Sequence, residues 1–384
     1  MVSVTRLFIR KKALKNRVII NGTFHNPNWF HAHISPIAKS NYGEVILVTD
    51  SELDRLPNLV YMCPPVLLSK LVTRAGAKFI WTIYAGIKYP ADLYIGYHIF
   101  PSGITALISS ALLGSRCCYQ VTSGPLELEG GGYAAENRLL AGLATPSKLI
   151  ELLVNKVVKL CDLVIVRGSD AAEYITSIGF TNSLEVVTGS VLTDNQFISD
   201  ERDIDVIFVG RLVEYKRPDI FINVIENLTK ELPNINVVMA GDGPMMGELV
   251  NMIERNGLTN NVKMLGVRKD IPNLLGRSRT LVLTSRWEGV SIAMLEGMAL
   301  GVVPVVVNTG DLKDFVKNDQ TGFISDEPDV EEISTNLRKV LSDDEVRAKL
   351  SRQAREIVMK KCDRDVLSKR WKEIIERSVA AKDL

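Results

Sequence analysis

Residues 284–306 read TSRWEGVSIAMLEGMALGVVPVV, and this stretch decides how the rest of the chain is read. Two glutamates, Glu288 and Glu296, bracket the expected start of a helix, which runs into an apolar β-branched stretch at residues 302–307 with the character of a buried strand. Ser291 is placed to cap that helix. The first N–H groups of a helix have no partner inside it, so together with the macrodipole they favour a bound anion. At a rise of about 1.5 Å per helical residue, the step from Glu288 to Glu296 spans roughly 12 Å. That suits one carboxylate on a sugar and the other on a ribose, at either side of a diphosphate. An arbitrary pair of glutamates would be two solvated carboxylates, but the apolar, Gly-punctuated context favours a binding role here.

Working outward, short β-branched runs alternate with longer helical patterns, which predicts an α/β chain of parallel sheets with crossover helices. Expected strands in the first half are residues 17–20, 44–48, 93–96, 117–121, 163–166 and 184–187. A second series is expected at 204–209, 235–239, 262–265, 280–283 and 302–307. The polar segment TDNQFISD at 193–200 reads as the linker between two domains, 1–195 and 201–362. Two Rossmann-like sheets facing a central cleft would offer the usual ligand position of open α/β sheets, outside the carboxyl ends of their strands. Residues 363–382, with Val366, Trp371, Ile374 and Ile375 at mixed three- and four-residue spacing, are expected to form a helix.

The 384 residues, 46% hydrophobic and 24% charged, suffice for two cores, and the net charge of +1 gives no footprint for nucleic acid. Charge is uneven locally: Arg6, Arg10, Lys11, Lys12, Lys15 and Arg17 meet no acid before Glu44. Such a run is a solvated face or a contact with an anionic membrane surface. The five cysteines, Cys63, Cys117, Cys118, Cys161 and Cys362, show no C-x-x-C spacing and read as reduced core residues of a cytoplasmic protein. No stretch reaches the roughly 20 apolar residues of a spanning helix, and no signal-peptide pattern opens the sequence.

The second chemical cluster is FVGRLVEYKRP at 208–218, directly after an expected strand. Arg211 brings a planar fork of donors and Lys216 a compact point charge, which together would neutralise the charge growing on a departing diphosphate.

These pieces occur in an order that resembles the donor-binding half of glycosyltransferase family 4, retaining enzymes of the GT-B fold. The resemblance rests on G-R-L-x-x-x-K at 210–216, A-G-D-G-P at 240–244, V-K-M-L-G at 262–266 and E-x7-E at 288–296, followed by GVVPVV. A weaker likeness extends to LCDLVIV at 160–166 and TGSV at 188–191. The resemblance implies that Arg211 and Lys216 hold the diphosphate, Glu296 the ribose and Glu288 the donor sugar, with Glu288, Arg211 and Lys216 carrying the chemistry. It also implies that Ser291 and Ile292 give backbone N–H groups to the phosphate, and that Gly266, Val267 and Arg268 lie along the base. The stretch DGP at 242–244 reads as a turn on its own composition. The closing helix, 363–384, would return to the first domain.

The first half departs from the family pattern. Its Gly-rich turn is reduced to Gly22, which would let backbone approach the phosphates, and Trp29 and Phe30 either face an acceptor or pack. Many members carry a histidine after the strand that here ends VTSG at 121–124, and none is present. His98 is the nearest substitute on the acceptor side, with a satisfied core histidine as the competing role. Gly130, Gly131 and Gly132 are expected in a mobile loop over the cleft. The expected activity is retaining transfer of a hexose from a nucleoside-diphosphate sugar to a glycan or lipid-linked acceptor, in the cytoplasm or at the inner face of the membrane. No metal and no cofactor are required beyond the sugar nucleotide. The alternatives are a GT-B epimerase or hydrolase, and a sugar-binding subunit without turnover. An NAD oxidoreductase is disfavoured because no G-x-G-x-x-G follows a first strand.

Overall fold

The computed structural model describes residues 16–24, 26–132, 145–191, 198–199 and 201–381. Most of the basic run, Arg6 to Lys15, and most of the expected linker lie outside the described residues. The chain divides into two compact units. One holds residues up to Val166, then Ala172–Val187 and the chain from Ser368 onward, and the other holds Arg167–Ala171 and Thr188–Leu367.

The first unit carries β1 (Arg17–Asn21), β2 (Glu44–Val48), β3 (Leu59–Met62), β4 (Leu93–Tyr97), β5 (Arg116–Gln120), β6 (Leu163–Val166) and β7 (Ser183–Val186). Between them run α1 (Pro27–Ala38), α2 (Val66–Lys88), α3 (Ile104–Leu113), α4 (Lys148–Val158) and α5 (Ser169–Ser177). The strands form one parallel sheet in the order β3-β2-β1-β4-β5-β6-β7. The order reverses between β1 and β4, so the crevice at their carboxyl ends opens beside Gly22 and His98.

The second unit carries β8 (Ile204–Val209), β9 (Val237–Ala240), β10 (Val262–Met264), β11 (Ser278–Leu283), β12 (Val303–Val307) and β13 (Phe323–Ser325), parallel in the order β10-β9-β8-β11-β12-β13. Its helices are α6 (Pro218–Thr229), α7 (Met246–Arg255), α8 (Ile271–Gly276), α9 (Ile292–Ala299), α10 (Val330–Ser342) and α11 (Asp344–Cys362). Alternation along the strands explains why this sheet is buried on both faces. Val206, Phe208, Val303 and Val305 join one core with Phe221, Ile225 and Leu337, whereas Ile207, Leu281 and Val306 join another with Met294, Leu295 and Met298. The reversal here lies between β8 and β11, so residues after Val209 and after Leu283 meet at one crevice.

Two strands carry no sequence signal. β3 and β13, sheet edges of four and three residues, lie outside the expected series. The closing helix is α12 (Arg364–Ala380), whose amide groups at Asp365 and Val366 donate to Asp363 Oδ1 at 2.9 and 3.1 Å. Trp371, Ile374 and Ile375 are buried as their spacing requires, but Val366 is exposed. In the first unit, Arg370 and Arg377 of this helix pair with Glu185 of β7 at 3.3 and 2.8 Å. Four of the five cysteines are buried, and Cys63 is only half-buried. No helix among the described residues is long and apolar enough to cross a membrane.

Candidate functional site

In the second unit the loop after β11 is tied to the turn after β8. Arg286 N–H donates to Tyr215 O at 2.7 Å, and Thr284 Oγ1 donates to the carbonyls of Lys216 and Arg217 at 3.2 and 2.8 Å. The Tyr215 and Trp287 rings stack at 5.4 Å and 11°. Arg211 lies over the Tyr215 ring at 5.6 Å and donates to its hydroxyl. The aromatic pair therefore sets the spacing between the two motifs that the sequence singles out. Lys216 Nζ reaches Glu288 Oε1 at 2.5 Å, and Ser285 Oγ donates to the same oxygen at 2.7 Å. Close approach fixes the backbone of this loop as well. Gly310 has φ +52°, and a Cβ there would stand 1.9 Å from Glu288 O, so only glycine fits both the dihedral and the space.

Helix α9 begins at Ile292 with Ser291 as its N-cap, the Ser291 Oγ accepting from Met294 N–H at 3.3 Å. The two glutamates therefore do not bracket a single helical run. Glu288 stands in the loop four residues ahead of Ile292, so the roughly 12 Å helical step does not describe their separation. The loop is what lets Glu288 turn back onto Lys216. Glu296 is half-buried one turn into α9, and burial pushes its carboxyl up to about 7. Among the described residues its carboxylate makes no hydrogen bond to the protein, which leaves it available to a ligand hydroxyl.

The remaining donor-side residues sit nearby in sequence order. Gly241 N–H donates to Gly266 O at 2.8 Å, and Gly266 has φ +63°. Val267 is exposed, and Arg268 is held by a two-pronged pair with Asp270 at 2.8 and 2.7 Å. The DGP segment is a turn laced to the Arg211 strand end: Leu212 N–H donates to Asp242 O at 2.9 Å and Met245 N–H to Leu212 O at 3.1 Å.

In the first unit, His98 follows β4 with φ +63°, a strained conformation for a side chain with a Cβ. Its Nδ1 lies 2.7 Å from Thr122 Oγ1 and 3.6 Å from Glu127 Oε2, and its side chain is 31% exposed. Glu127 was not among the expected site residues. It is fully buried, and its oxygens accept from Ile99 N–H, Tyr119 OH, Thr122 N–H, Thr122 Oγ1 and Ser123 N–H at 3.1, 2.7, 2.7, 2.9 and 3.1 Å. Burial alone would raise this carboxyl, but the His98 charge and the hydrogen bonds outweigh it and hold the pKa at about 2. An acid in a Gly- and Pro-rich turn reads as solvated, and no local pattern marks Glu127 as buried.

One first-unit expectation is corrected. Gly130, Gly131 and Gly132 do take positive φ, at 62°, 81° and 75°, but they are buried rather than in an open loop. Ser147 N–H donates to Gly130 O at 2.8 Å and Gly130 N–H to Glu151 Oε2 at 3.1 Å, which anchors the turn to α4. At Gly22, a Cβ would stand 2.6 Å from the Phe24 ring, so the close packing of this turn requires glycine. Phe30 is a core residue, and the Trp29 ring packs against His33 at 4.0 Å with a tilt of 48°. Among the described residues, no group of three or more His, Cys, Asp or Glu is placed to hold a metal ion.

Two parallel-sheet α/β units of this strand order define a GT-B fold, and solved structures of that fold superpose on nearly the whole chain. HepE of Anabaena, crystallised with UDP-glucose, matches at a TM-score of 0.75 and 16% identity over 94% of this chain and 99% of its own. WaaG, a glycosyltransferase of lipopolysaccharide biosynthesis, matches at 0.70 and 16% over 93% of this chain and 99% of its own. Residues 193–357 match the family model of the group 1 glycosyl transferases. In sequence it is similar to the Escherichia coli UDP-Gal:alpha-D-GlcNAc-diphosphoundecaprenol alpha-1,3-galactosyltransferase, at 31% identity over 195 residues, which are 50% of this chain and 48% of the relative. The alpha-D-kanosaminyltransferase of Streptomyces kanamyceticus is 27% identical over 157 residues, 40% of each chain. The matched segment thus spans about half the length of these curated relatives or less.

Proposed function

We propose that the chain is a retaining glycosyltransferase that moves a hexose from a nucleoside-diphosphate sugar, UDP-linked in the first instance, to a hydroxyl of a glycan or lipid-linked acceptor in polysaccharide biosynthesis. The observation that carries this reading is the convergence of Arg211, the Lys216 and Glu288 pair, the capped start of α9 and the unpartnered Glu296 at the reversal between β8 and β11. The UDP complexes of HepE and the diphosphoundecaprenol acceptor of the Escherichia coli relative support the choice of nucleotide and acceptor class.

In this scheme the diphosphate lies against Arg211, Lys216 and the N–H groups of Ser291 and Ile292, with the base along Gly266, Val267 and Arg268. Glu296 accepts from the ribose hydroxyls and Glu288 from the donor sugar. The acceptor oxygen bonds to the anomeric carbon on the face that the diphosphate leaves, the bond from that carbon to the phosphate oxygen breaks, and a phosphate oxygen takes the acceptor proton. Charge moves onto the leaving group, so fixed cations and helix N–H groups supply the stabilisation, about 2 to 4 kcal/mol for each main donor. The sugar nucleotide is the co-substrate, and the reaction centre is composed of the chain's own residues. His98, held by Thr122 and Glu127, serves the acceptor, and the protein works at the inner face of an anionic membrane.

The test is nucleotide release from a panel of UDP-sugars with and without an undecaprenyl-diphosphate sugar acceptor, with the anomeric configuration of the product read by NMR. Acceptor-dependent release with retained configuration is expected. Release that ignores the acceptor would mean a hydrolase or epimerase, and an inverted product would remove the retaining scheme.

A further inference from the structure

The first unit carries a surface that the donor chemistry does not use. Helix α2 buries Ala77, Lys78, Thr82, Ala85 and Gly86, and leaves large apolar side chains outside. Val66, Leu67, Leu71 and Ile87 of α2 and Leu112 of α3 are 61–74% exposed, and Tyr84 is exposed on the same stripe as Ile87. The two helices are direct neighbours: a Cβ on Gly86 would lie 2.5 Å from Leu113 Cδ1. Thr73, at φ +70°, breaks α2 so that its first turns form a separate short segment presenting Val66, Leu67 and Leu71.

Charge narrows the choice of partner. Neither α2 nor α3 contains an acid. Lys70, Arg74 and Lys88 are exposed among the apolar residues, whereas Lys78 is turned inward onto Asp50 at 3.2 Å and does not contribute. Soluble surfaces seldom gather this many large apolar side chains unless something covers them. Apolar residues interleaved with cations, aromatic at one edge and free of acids, match an interfacial helix, which sinks its apolar side chains beneath headgroups while the cations meet lipid phosphates. Neither helix can span a bilayer, so the surface lies on the membrane rather than through it.

We propose that the α2 and α3 face docks onto an anionic lipid bilayer. The proposal rests on the membrane part of the function above and names the surface that makes the contact. It assigns the contact to α2 and α3 rather than to the basic run ahead of Arg17.

The test is co-sedimentation of the full chain with phosphatidylglycerol and phosphatidylcholine vesicles, with UDP binding and the thermal midpoint followed in parallel to show that each variant is folded. The parent should bind the mixed vesicles at low salt and release on added salt. Lys70→Gln with Arg74→Gln should weaken binding by about fivefold per cation. Leu67→Gln with Leu71→Gln should weaken it by at least about tenfold, also at high salt, because the apolar contribution is not screened. Normal vesicle binding by both pairs, with loss only when Arg10, Lys11, Lys12 and Lys15 become Gln, would overturn the α2 and α3 assignment and leave membrane docking standing. A parent that ignores anionic vesicles at low salt would overturn both. Light scattering that shows a dimer broken by Leu67→Gln and Leu71→Gln, with lipid binding unchanged, would assign the face to a second copy and overturn the proposal.

Discussion

Lys216 and Glu288, 72 residues apart in the chain, share one short contact: Nζ to Oε1 at 2.5 Å, with Ser285 Oγ on the same carboxylate oxygen. The cation assigned to the diphosphate and the acid assigned to the sugar are thus mechanically coupled. Each holds the other in place before substrate arrives, and preorganisation of this kind is what makes a charged group effective at a reaction centre. A double-mutant cycle of Lys216→Ala and Glu288→Gln on kcat/KM should show a coupling of about 1 to 3 kcal/mol. Additive losses would mean that the pair is not a unit.

The two glutamates should separate by ligand. Glu296→Gln is expected to weaken free UDP, because the lost carboxylate is the proposed ribose acceptor. Glu288→Gln keeps an oxygen for Lys216, so it should spare free UDP while it impairs the sugar nucleotide and kcat. Calorimetry with UDP and UDP-glucose checks this, and equal losses of UDP affinity in both variants would sink the division of roles.

Glu296 also gives the free protein a pH signature. Its carboxyl is raised from 4.5 to about 7 in the folded state. Between those values the folded chain keeps a proton that the unfolded chain has released, so this site lowers stability as pH rises through the window and the loss is complete above about 7. Asp311, raised to about 6 mainly by burial, acts in the same direction at lower pH. In a comparison of Glu296→Gln with the parent, the Asp311 effect cancels. The variant should gain on the parent from pH 5 to pH 8, by up to about 3 kcal/mol in urea unfolding. Parallel pH profiles would show that the buried carboxyl does not titrate there.

Glu127 should matter to the first unit in the opposite sense. Its pKa of about 2 means that its contribution is present above 4.5 and lost as pH falls through 2. Glu127→Ala leaves several buried donors without an acceptor and should cost at least about 3 kcal/mol in urea unfolding at pH 7. A cost below 1 kcal/mol would show that water or a rearranged turn satisfies those donors equally well.

The strand end ahead of Arg211 and the cap of α9 are legible in sequence because both are local: an apolar β-branched run stops at Val209, and Ser291 precedes a helical apolar pattern and does cap α9. The central strands were readable because Val206, Phe208 and Ile207 must satisfy two cores at once. What could not be read depends on contacts distant in the chain. The Lys216 and Glu288 pair and the Tyr215 and Trp287 stack are made by side chains whose neighbours only folding brings together. The three glycines at 130–132 misled for a related reason, since a run that permits an open loop equally permits a buried turn against α4.

The most direct measurement of the central claim, that the crevice between β8 and β11 grips a nucleoside diphosphate through Arg211, Lys216 and Glu296, is isothermal titration of UDP into the parent and into Arg211→Ala and Lys216→Ala. The parent should bind, with an affinity that falls as salt rises, and each variant should lose about 2 to 4 kcal/mol of binding free energy. UDP binding that is unchanged in both variants, or a parent that binds none of the common nucleoside diphosphates, would contradict it.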